Sequence, residues 1–193
     1  MGSEMCIRDR LRSRGVTVPI LILGASGEDA VEDLINFDIT PSVFTYEFAK
    51  ALSYEAERKE KVTKIHIKID TGMSRIGFLA GENNEEIVDE IIKISKLPYI
   101  EIEGIFSHFA TSDEYDKSYT LLQYGRFMDV CNRLEEKGLN IPIKHICNSA
   151  GIMMYPEMHL DMVRPGVILY GMYPSDEAVS YTHLRAHETD SYL

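Results

Sequence analysis

The sequence predicts an α/β fold in which parallel strands alternate with helices, and three observations support this. Short β-branched segments are apolar with the period of two that is typical of strands. Longer segments between them place apolar residues on one helical face. Single helices separate successive strands, which is the arrangement of parallel βα units. We predict a partial TIM (β/α)8 barrel with about six of its eight strand–helix units, because a complete barrel needs about 250 residues.

The predicted strands are short and bounded by turn residues. The clearest runs from Lys64 to Asp70, where isoleucines alternate with polar residues. The strands, in chain order, are Pro19–Gly24, Pro41–Thr45, Lys64–Asp70, Glu101–His108, Ile143–Cys147 and Met162–Tyr170. An open doubly wound sheet is the alternative, but the sequence Gly24-Ala-Ser-Gly27 does not fit the glycine pattern of a nucleotide-binding turn.

Four amphipathic segments predict the helices between these strands. They are Gly27–Phe37, Tyr46–Tyr54, Asn84–Leu97 and Ser118–Lys137, the last ended by a glycine. The inward faces predicted for the last two comprise Ile87, Val88, Ile91, Ile92, Ser95, Leu122, Phe127, Val130 and Leu134.

Both ends of the chain resemble adapter sequence. Codons can be chosen for Gly2–Asp9 whose reverse complement encodes Val179–Ala186, a relation without physical reason in two natural ends. We therefore expect residues 1–10 and 179–193 to be adapter-like segments outside the fold. Residues 11–178 would then be one domain, the piece of a longer gene.

The net charge, the apolar runs and the cysteine spacing argue against several classes of partner and ligand. The 193 residues include 20 basic and 31 acidic ones, a net charge of −11, which disfavours nucleic acid and anionic membranes. No apolar run approaches the roughly 20 residues of a membrane span, and no signal-peptide pattern is present, so we expect a cytoplasmic protein. Cys131 and Cys147 lack metal-binding spacing, and we expect neither a metal site nor a disulfide.

The first candidate site residue follows the clearest strand. After Asp70 the chain breaks at Thr71-Gly72 and presents Arg75, whose guanidinium could hold a carboxylate through two hydrogen bonds. A surface arginine after a turn fits the spacing equally well. Lys68 alternates onto the same face as Asp70, so it either points outward into solvent or is neutralised inside.

Polar residues also end the later strands. His108 closes the fourth strand, and such a histidine is more often structural than catalytic when taken alone. Asn148-Ser149-Ala-Gly follows the fifth, where small residues admit a phosphate but also suit a simple helix cap. Arg164-Pro-Gly166-Val167 lies in the sixth, where the arginine could instead form a structural ion pair.

These four segments together resemble motifs of the alanine racemase family, whose members use pyridoxal 5'-phosphate (PLP). The matching sequences are DTGMSR, SHFATSDE, HICNSAG and VRPGVILYG, in the family's order. The resemblance spans nearly all of residues 11–178. Each motif is weak alone, and the set is specific.

The resemblance implies a role for each motif residue. Arg75 would bind the substrate carboxylate, His108 would stack on the cofactor ring, and Arg164 would face the pyridine nitrogen. The remaining cofactor contacts would come from Asn148, Ser149, Gly166 and Val167. Lys68, often carbamylated in the family, and His145 would support the two arginines. His66 and His159 match nothing in the family, and we interpret them as ordinary structural or surface residues.

An arginine at the pyridine nitrogen has a chemical consequence. Most PLP enzymes place a carboxylate there, whereas a permanently charged guanidinium keeps this nitrogen unprotonated. Less charge then spreads into the ring, which favours return of a proton to Cα over side reactions such as transamination. Decarboxylases on a similar barrel carry the carboxylate, so Arg164 argues against them.

Two family features are absent from this sequence. There is no A-Y-G-H-G run with the Schiff-base lysine, and no tyrosine from a carboxy-terminal β-domain. We expect no catalytic residue in the chain and no activity from it alone. The complete enzyme would be a homodimer that interconverts L- and D-alanine for peptidoglycan. The alternatives are a serine or broad-specificity racemase of the family and a non-catalytic PLP-binding barrel.

Overall fold

The computed structural model describes residues 10–176. Within them, seven strands form an arc in which every pairing is parallel. They are β1 (Ile20–Leu21), β2 (Ile39–Thr40), β3 (Ser42–Val43), β4 (Thr63–Asp70), β5 (Phe78–Leu79), β6 (Ile100–Phe106) and β7 (Ile143–His145). The predicted adapter-like segments lie outside the described residues, apart from residue 10.

The arc is continuous although its hydrogen-bond ladder is interrupted at Pro41. The order is β1-β2 on one side and β3-β4-β6-β7 on the other, with β5 beside the carboxyl end of β4. The amide of Ile22 donates to Thr40 O at 2.9 Å, and that of His66 donates to Pro41 O at 3.0 Å. Residues 39–43 therefore join the two groups of strands.

Helices follow the strands, as the alternation predicts. They are α1 (Val31–Asn36), α2 (Tyr46–Arg58), α3 (Glu85–Ile94), α4 (Ser118–Glu136) and α5 (Ser149–Met154), with short 3-10 turns at Glu28–Ala30, Pro156–Met158 and Val167–Tyr170. The predicted partial TIM barrel is confirmed. None of the helices in residues 10–176 combines the length and the apolar character needed to cross a lipid bilayer.

Strand β4 is the centre of the core. Every residue from Ile65 to Asp70 is buried, because helices cover one face of the strand and the barrel interior takes the other. The three isoleucines belong to the apolar core, whereas His66, Lys68 and Asp70 belong to the interior face. This interior face carries the candidate site.

One predicted strand is wrong. Residues 162–166 are irregular, and a 3-10 turn follows at Val167–Tyr170. Pro165 has no N–H to donate to a strand ladder, which explains why regular pairing does not form. Two backbone bonds still hold the segment beside β7, from Asp161 N to Lys144 O at 3.1 Å and from Arg164 N to Cys147 O at 3.0 Å.

The inward faces of the two longer helices are largely as predicted. Helix α3 buries Val88, Ile91 and Ile94, and only the last of these is outside the predicted set. Helix α4 buries Phe127, Val130 and Leu134. The prediction that Leu122 faces inward is wrong, because this side chain is 46% exposed while its neighbour Gln123 is fully buried.

Candidate functional site

The candidate residues follow the carboxyl ends of β4, β6 and β7. Chemistry on parallel barrels concentrates at this edge, because the loops after neighbouring strands meet there. The backbone approach is close at Gly77, whose φ is +133° and where a Cβ would lie 2.5 Å from Asp70 N. Only glycine fits there without displacing the end of β4.

The guanidinium of Arg164 lies at the centre of the cluster. Its Nη1 donates to His145 Nδ1, and its Nη2 donates to Ser107 O at 2.7 Å and Ile146 O at 3.0 Å. His108 Nδ1 lies 3.3 Å from the same Nη2. The Nε atom is buried without a hydrogen-bond partner among the described residues. Burial lowers the pKa of Arg164 to about 10, so the group stays charged at neutral pH.

Burial beside Arg164 favours the neutral form of two histidines, His145 and His108. Burial, followed by the charge of Arg164, lowers the pKa of His145 to about 2. The same two causes lower the pKa of His108 to about 4. A neutral imidazole offers an unprotonated nitrogen to a guanidinium and a flat face to an aromatic ring.

His66 joins this cluster, which the sequence did not predict. The ring is 3% exposed, and its Nδ1 lies 2.9 Å from His145 Nε2. The surface interpretation of His66 is therefore wrong, and its structural interpretation omits the contact with the site. His159 is an ordinary residue, with Nε2 2.9 Å from Ile152 O.

Lys68 lies inside the barrel and not in solvent. Its side chain is 3% exposed, and Nζ donates to Ile69 O at 3.0 Å. Two cationic side chains lie near the ring of Phe106, with Lys68 Nζ 5.1 Å and Arg164 Cζ 5.3 Å from its centroid. Burial, and then Arg164, lowers the pKa of Lys68 to about 7 against the opposing charge of Asp70.

Asp70 organises the turn that presents Arg75. Its carboxylate accepts from Gly72 N at 2.9 Å, Ser74 N at 3.0 Å and Arg75 N at 3.2 Å. The Arg75 side chain is exposed, and its charge helps to lower the pKa of both Lys68 and His108. Arg75 follows the carboxyl end of β4, at the same edge of the sheet where His108 follows β6.

Helix α4 forms hydrogen bonds with the loops after β4 and β6, through side chains that sequence reasoning did not identify. Gln123 Nε2 donates to Thr71 Oγ1 and to His108 O, both at 3.2 Å, and its Oε1 accepts from Ala110 N at 2.8 Å. Tyr119 Oη donates to Gly72 O at 2.8 Å. Helical spacing could have indicated Gln123, because it lies four residues before Phe127 and therefore on the same face of α4.

The turn after β7 brings the serine and the Pro-Gly segment together. Asn148 Oδ1 accepts from Gly151 N and from Ser112 Oγ, both at 2.9 Å, so this side chain caps α5. Ser149 Oγ accepts from Gly166 N at 2.9 Å and keeps its own proton to donate. The adjoining 3-10 turn begins at Val167.

The metal-binding types of side chain are also present in this region. Among residues 10–176, no group of three or more His, Cys, Asp or Glu side chains is arranged to hold a metal ion. Cys131 and Cys147 are free and buried, and burial raises the pKa of both thiols.

Comparison with known proteins places this geometry in a family. The profile described as "Alanine racemase, N-terminal domain" matches residues 7–174. The chain belongs to the alanine racemase family. Its relatives include the alanine racemases of Clostridium tetani, 52% identical over 167 residues, and of Methanococcus maripaludis, 49% identical over 166 residues. Each alignment covers 86% of this chain, with 42% and 44% of the respective relative.

Solved alanine racemases share the fold. The Clostridium difficile 630 alanine racemase in complex with cycloserine has a TM-score of 0.86 at 45% identity, over 89% of this chain and 46% of that one. The Bacillus anthracis alanine racemase with bound L-Ala-P has a TM-score of 0.78 at 32% identity, over 87% and 42%. The chain thus spans less than half the length of the alanine racemases that it matches.

Proposed function

We propose that this chain supplies the PLP-binding and substrate-binding portion of a cytoplasmic alanine racemase, a homodimer that interconverts L- and D-alanine and so provides D-alanine for peptidoglycan. The observation that carries the proposal is the buried, unpartnered Nε of Arg164. A buried donor without a partner is unfavourable unless a ligand supplies an acceptor. The pyridine nitrogen of PLP is such an acceptor.

The surrounding groups fit the rest of the cofactor. Ser149 would donate its hydroxyl proton to the phosphate, together with the amides that begin at Gly166 and Val167. The neutral ring of His108 would stack on the pyridine, and Asn148 would keep the turn in place as the cap of α5. Bound PLP supplies an electron-withdrawing ring that stabilises negative charge at Cα of an amino acid.

The chain's own residues would orient the amino acid. Arg75 would hold the substrate carboxylate, and Lys68 would support Arg75 from the interior of the barrel. Arg164, a charged guanidinium that donates hydrogen bonds but does not transfer its protons, would keep the ring nitrogen unprotonated. We propose that the chain alone does not racemise alanine, because its sequence contains no Schiff-base lysine motif and no assigned proton-transfer pair.

A segment exchange tests this proposal. Residues 11–176 would replace the matching segment of the Clostridium tetani racemase, and racemisation of alanine would be assayed with PLP. We expect activity, and a loss of about 10- to 100-fold in kcat/KM for Arg164→Gln and Arg75→Gln, the value of a hydrogen bond to a charged group.

The matched control is Arg133→Gln, which removes a surface guanidinium that is paired with Asp129 at 2.8 Å. Its expected effect is small, because exposed pairs of this kind contribute little. An inactive exchange protein that is folded and dimeric would refute the assignment. Full activity in both site variants would refute the assigned roles.

A further inference from the structure

A chain of four polar side chains crosses the barrel interior and ends at Arg164. Glu103 Oε2 lies 3.6 Å from His66 Nε2, and His66 Nδ1 lies 2.9 Å from His145 Nε2. His145 Nδ1 then accepts from Arg164 Nη1. The outer end is anchored, because Lys64 Nζ donates to the other carboxylate oxygen of Glu103 at 2.5 Å.

The two ends of this chain decide the position of every ring proton. A guanidinium can only donate, so His145 Nδ1 must be unprotonated. The neutral ring then carries its proton on Nε2 and donates it to His66 Nδ1. His66 in turn carries its proton on Nε2, which faces the carboxylate of Glu103. All the donors therefore point in a consistent order.

The backbone is shaped to admit the His66 ring. The pairing of β4 with β6 shifts register between Ile65 and His66, a β-bulge that leaves Glu103 as the extra residue. Gly104 lies opposite His66, and a Cβ there would be 2.3 Å from Cε1 of the ring. The Phe106 ring stacks on His145 with a centroid separation of 4.7 Å. The ring positions are thus fixed by packing on several sides.

We propose that Glu103 and His66 are positioning residues for Arg164. Through His145 they fix the plane of the guanidinium, so that Nε keeps its direction toward the position of the cofactor ring. The identity of that ring rests on the proposed function, whereas the hydrogen-bond order and its effect on Arg164 do not. Outer partners of this kind typically change ligand affinity or activity by about 10- to 100-fold.

The first test reads the proton positions directly. The 193-residue chain, labelled with 15N at its histidine rings, is measured by NMR near neutral pH without cofactor. We expect both His66 and His145 to be neutral and protonated at Nε2. Protonation of either ring at Nδ1, or a charged ring, would overturn the proposed order.

The second test measures how firmly Arg164 is held. Exchange of the Arg164 Nη protons with water is compared in wild type, His66→Phe and Glu103→Gln. We expect exchange at least about tenfold faster in His66→Phe, in line with the loss of an outer partner. In Glu103→Gln the amide can also donate to His66 Nε2, which moves the His66 proton to Nδ1 and breaks the bond to His145, so we expect a second His66 tautomer. Unchanged exchange together with a single unchanged tautomer would overturn the positioning role.

The matched control is Glu101→Gln, the same change at an exposed position of β6. It should leave both readouts at their wild-type values. Glu103→Gln keeps every buried ring and therefore decides the question if His66→Phe does not fold. Both readouts are taken without PLP, so a chain with the expected tautomers that fails to bind PLP would count against the proposed function alone.

Discussion

At the scale of single residues, two buried cations share one aromatic ring. Lys68 and Arg164 meet the ring of Phe106, and the repulsion between them adds to burial in lowering the pKa of Lys68 to about 7. A substantial part of the amine is therefore uncharged at neutral pH. The uncharged amine is the form of a lysine that reacts with carbon dioxide to give a carbamate and a proton.

The lowered pKa of Lys68 predicts a pH-dependent stability. A lysine in the unfolded chain titrates near pH 10.4, about three units above the folded value. Between these values the unfolded state binds more protons, so stability rises with pH and is lowest below about pH 7. Lys68→Met removes this dependence, and its gain in stability should be larger near pH 6 than near pH 9.

Urea unfolding in carbon-dioxide-free buffer measures the difference, which is at most about 1.4 kcal/mol per pH unit. Lys64→Met is the control, because that lysine is exposed and its hydrogen bond to Glu103 raises its pKa. Equal effects of Lys68→Met at the two pH values would show that Lys68 titrates normally.

At the scale of elements, the rotation of helix α4 about its axis determines which of its side chains contact the loops of the site. Its buried face includes Gln123, whereas the hydrophobic pattern favoured Leu122, which is 46% exposed. Gln123 is the link between α4 and the loops after β4 and β6, so the polar residue serves the site.

A pair of neighbouring substitutions tests this. Gln123→Leu leaves the part-buried amide of Ala110 and the carbonyl of His108 without their partner, and we expect a loss of about 1–3 kcal/mol for the unsatisfied groups. Leu122→Gln changes an exposed position and should stay within about 0.5 kcal/mol. Chemical denaturation of both variants measures this. A larger effect at position 122 than at position 123 would contradict the assignment.

The errors of sequence reasoning at this scale have a common cause. Strand β4 and helices α3 and α4 were predicted well, because their local periodicity is strong. The partners of Gln123 are up to 52 residues away, and those of His66 are up to 79 residues away. The local hydrophobic pattern indicates which apolar side chains are buried. It does not indicate which polar side chains, distant in sequence, form hydrogen bonds with one another. The position of the candidate residues at the strand ends could be predicted, because it follows from the fold.

At the scale of the whole molecule, the arc has a protected centre. Strand β4 has neighbours on both sides along much of its length, whereas β1 pairs only with β2 among the described strands. The strand predicted over Met162–Tyr170 does not form at the other side of the arc, because Pro165 has no N–H with which to extend the hydrogen-bond ladder beyond β7. The alternation of parallel strands and helices could be predicted, but the short strands β2 and β5 and the irregular last segment could not.

This organisation predicts a gradient of hydrogen exchange. Amides of Ile65, Ile67 and Ile69 in β4 should exchange through the highest-energy openings, and those of β1 through local opening. Native-state exchange measured by NMR across low urea concentrations separates these classes. β1 amides as protected as those of β4 would show instead that the arc opens as one cooperative unit.

The two cationic side chains near the Phe106 ring also affect how ligands reach the barrel interior. The protein as a whole carries a net charge of −11, so an anion approaching from solution meets repulsion before it reaches the positive interior. We therefore expect this barrel to attract an anion only at short range, after the anion has contacted the protein. Added salt screens the outer field within about 10 Å and should speed ligand capture, the reverse of electrostatically steered entry.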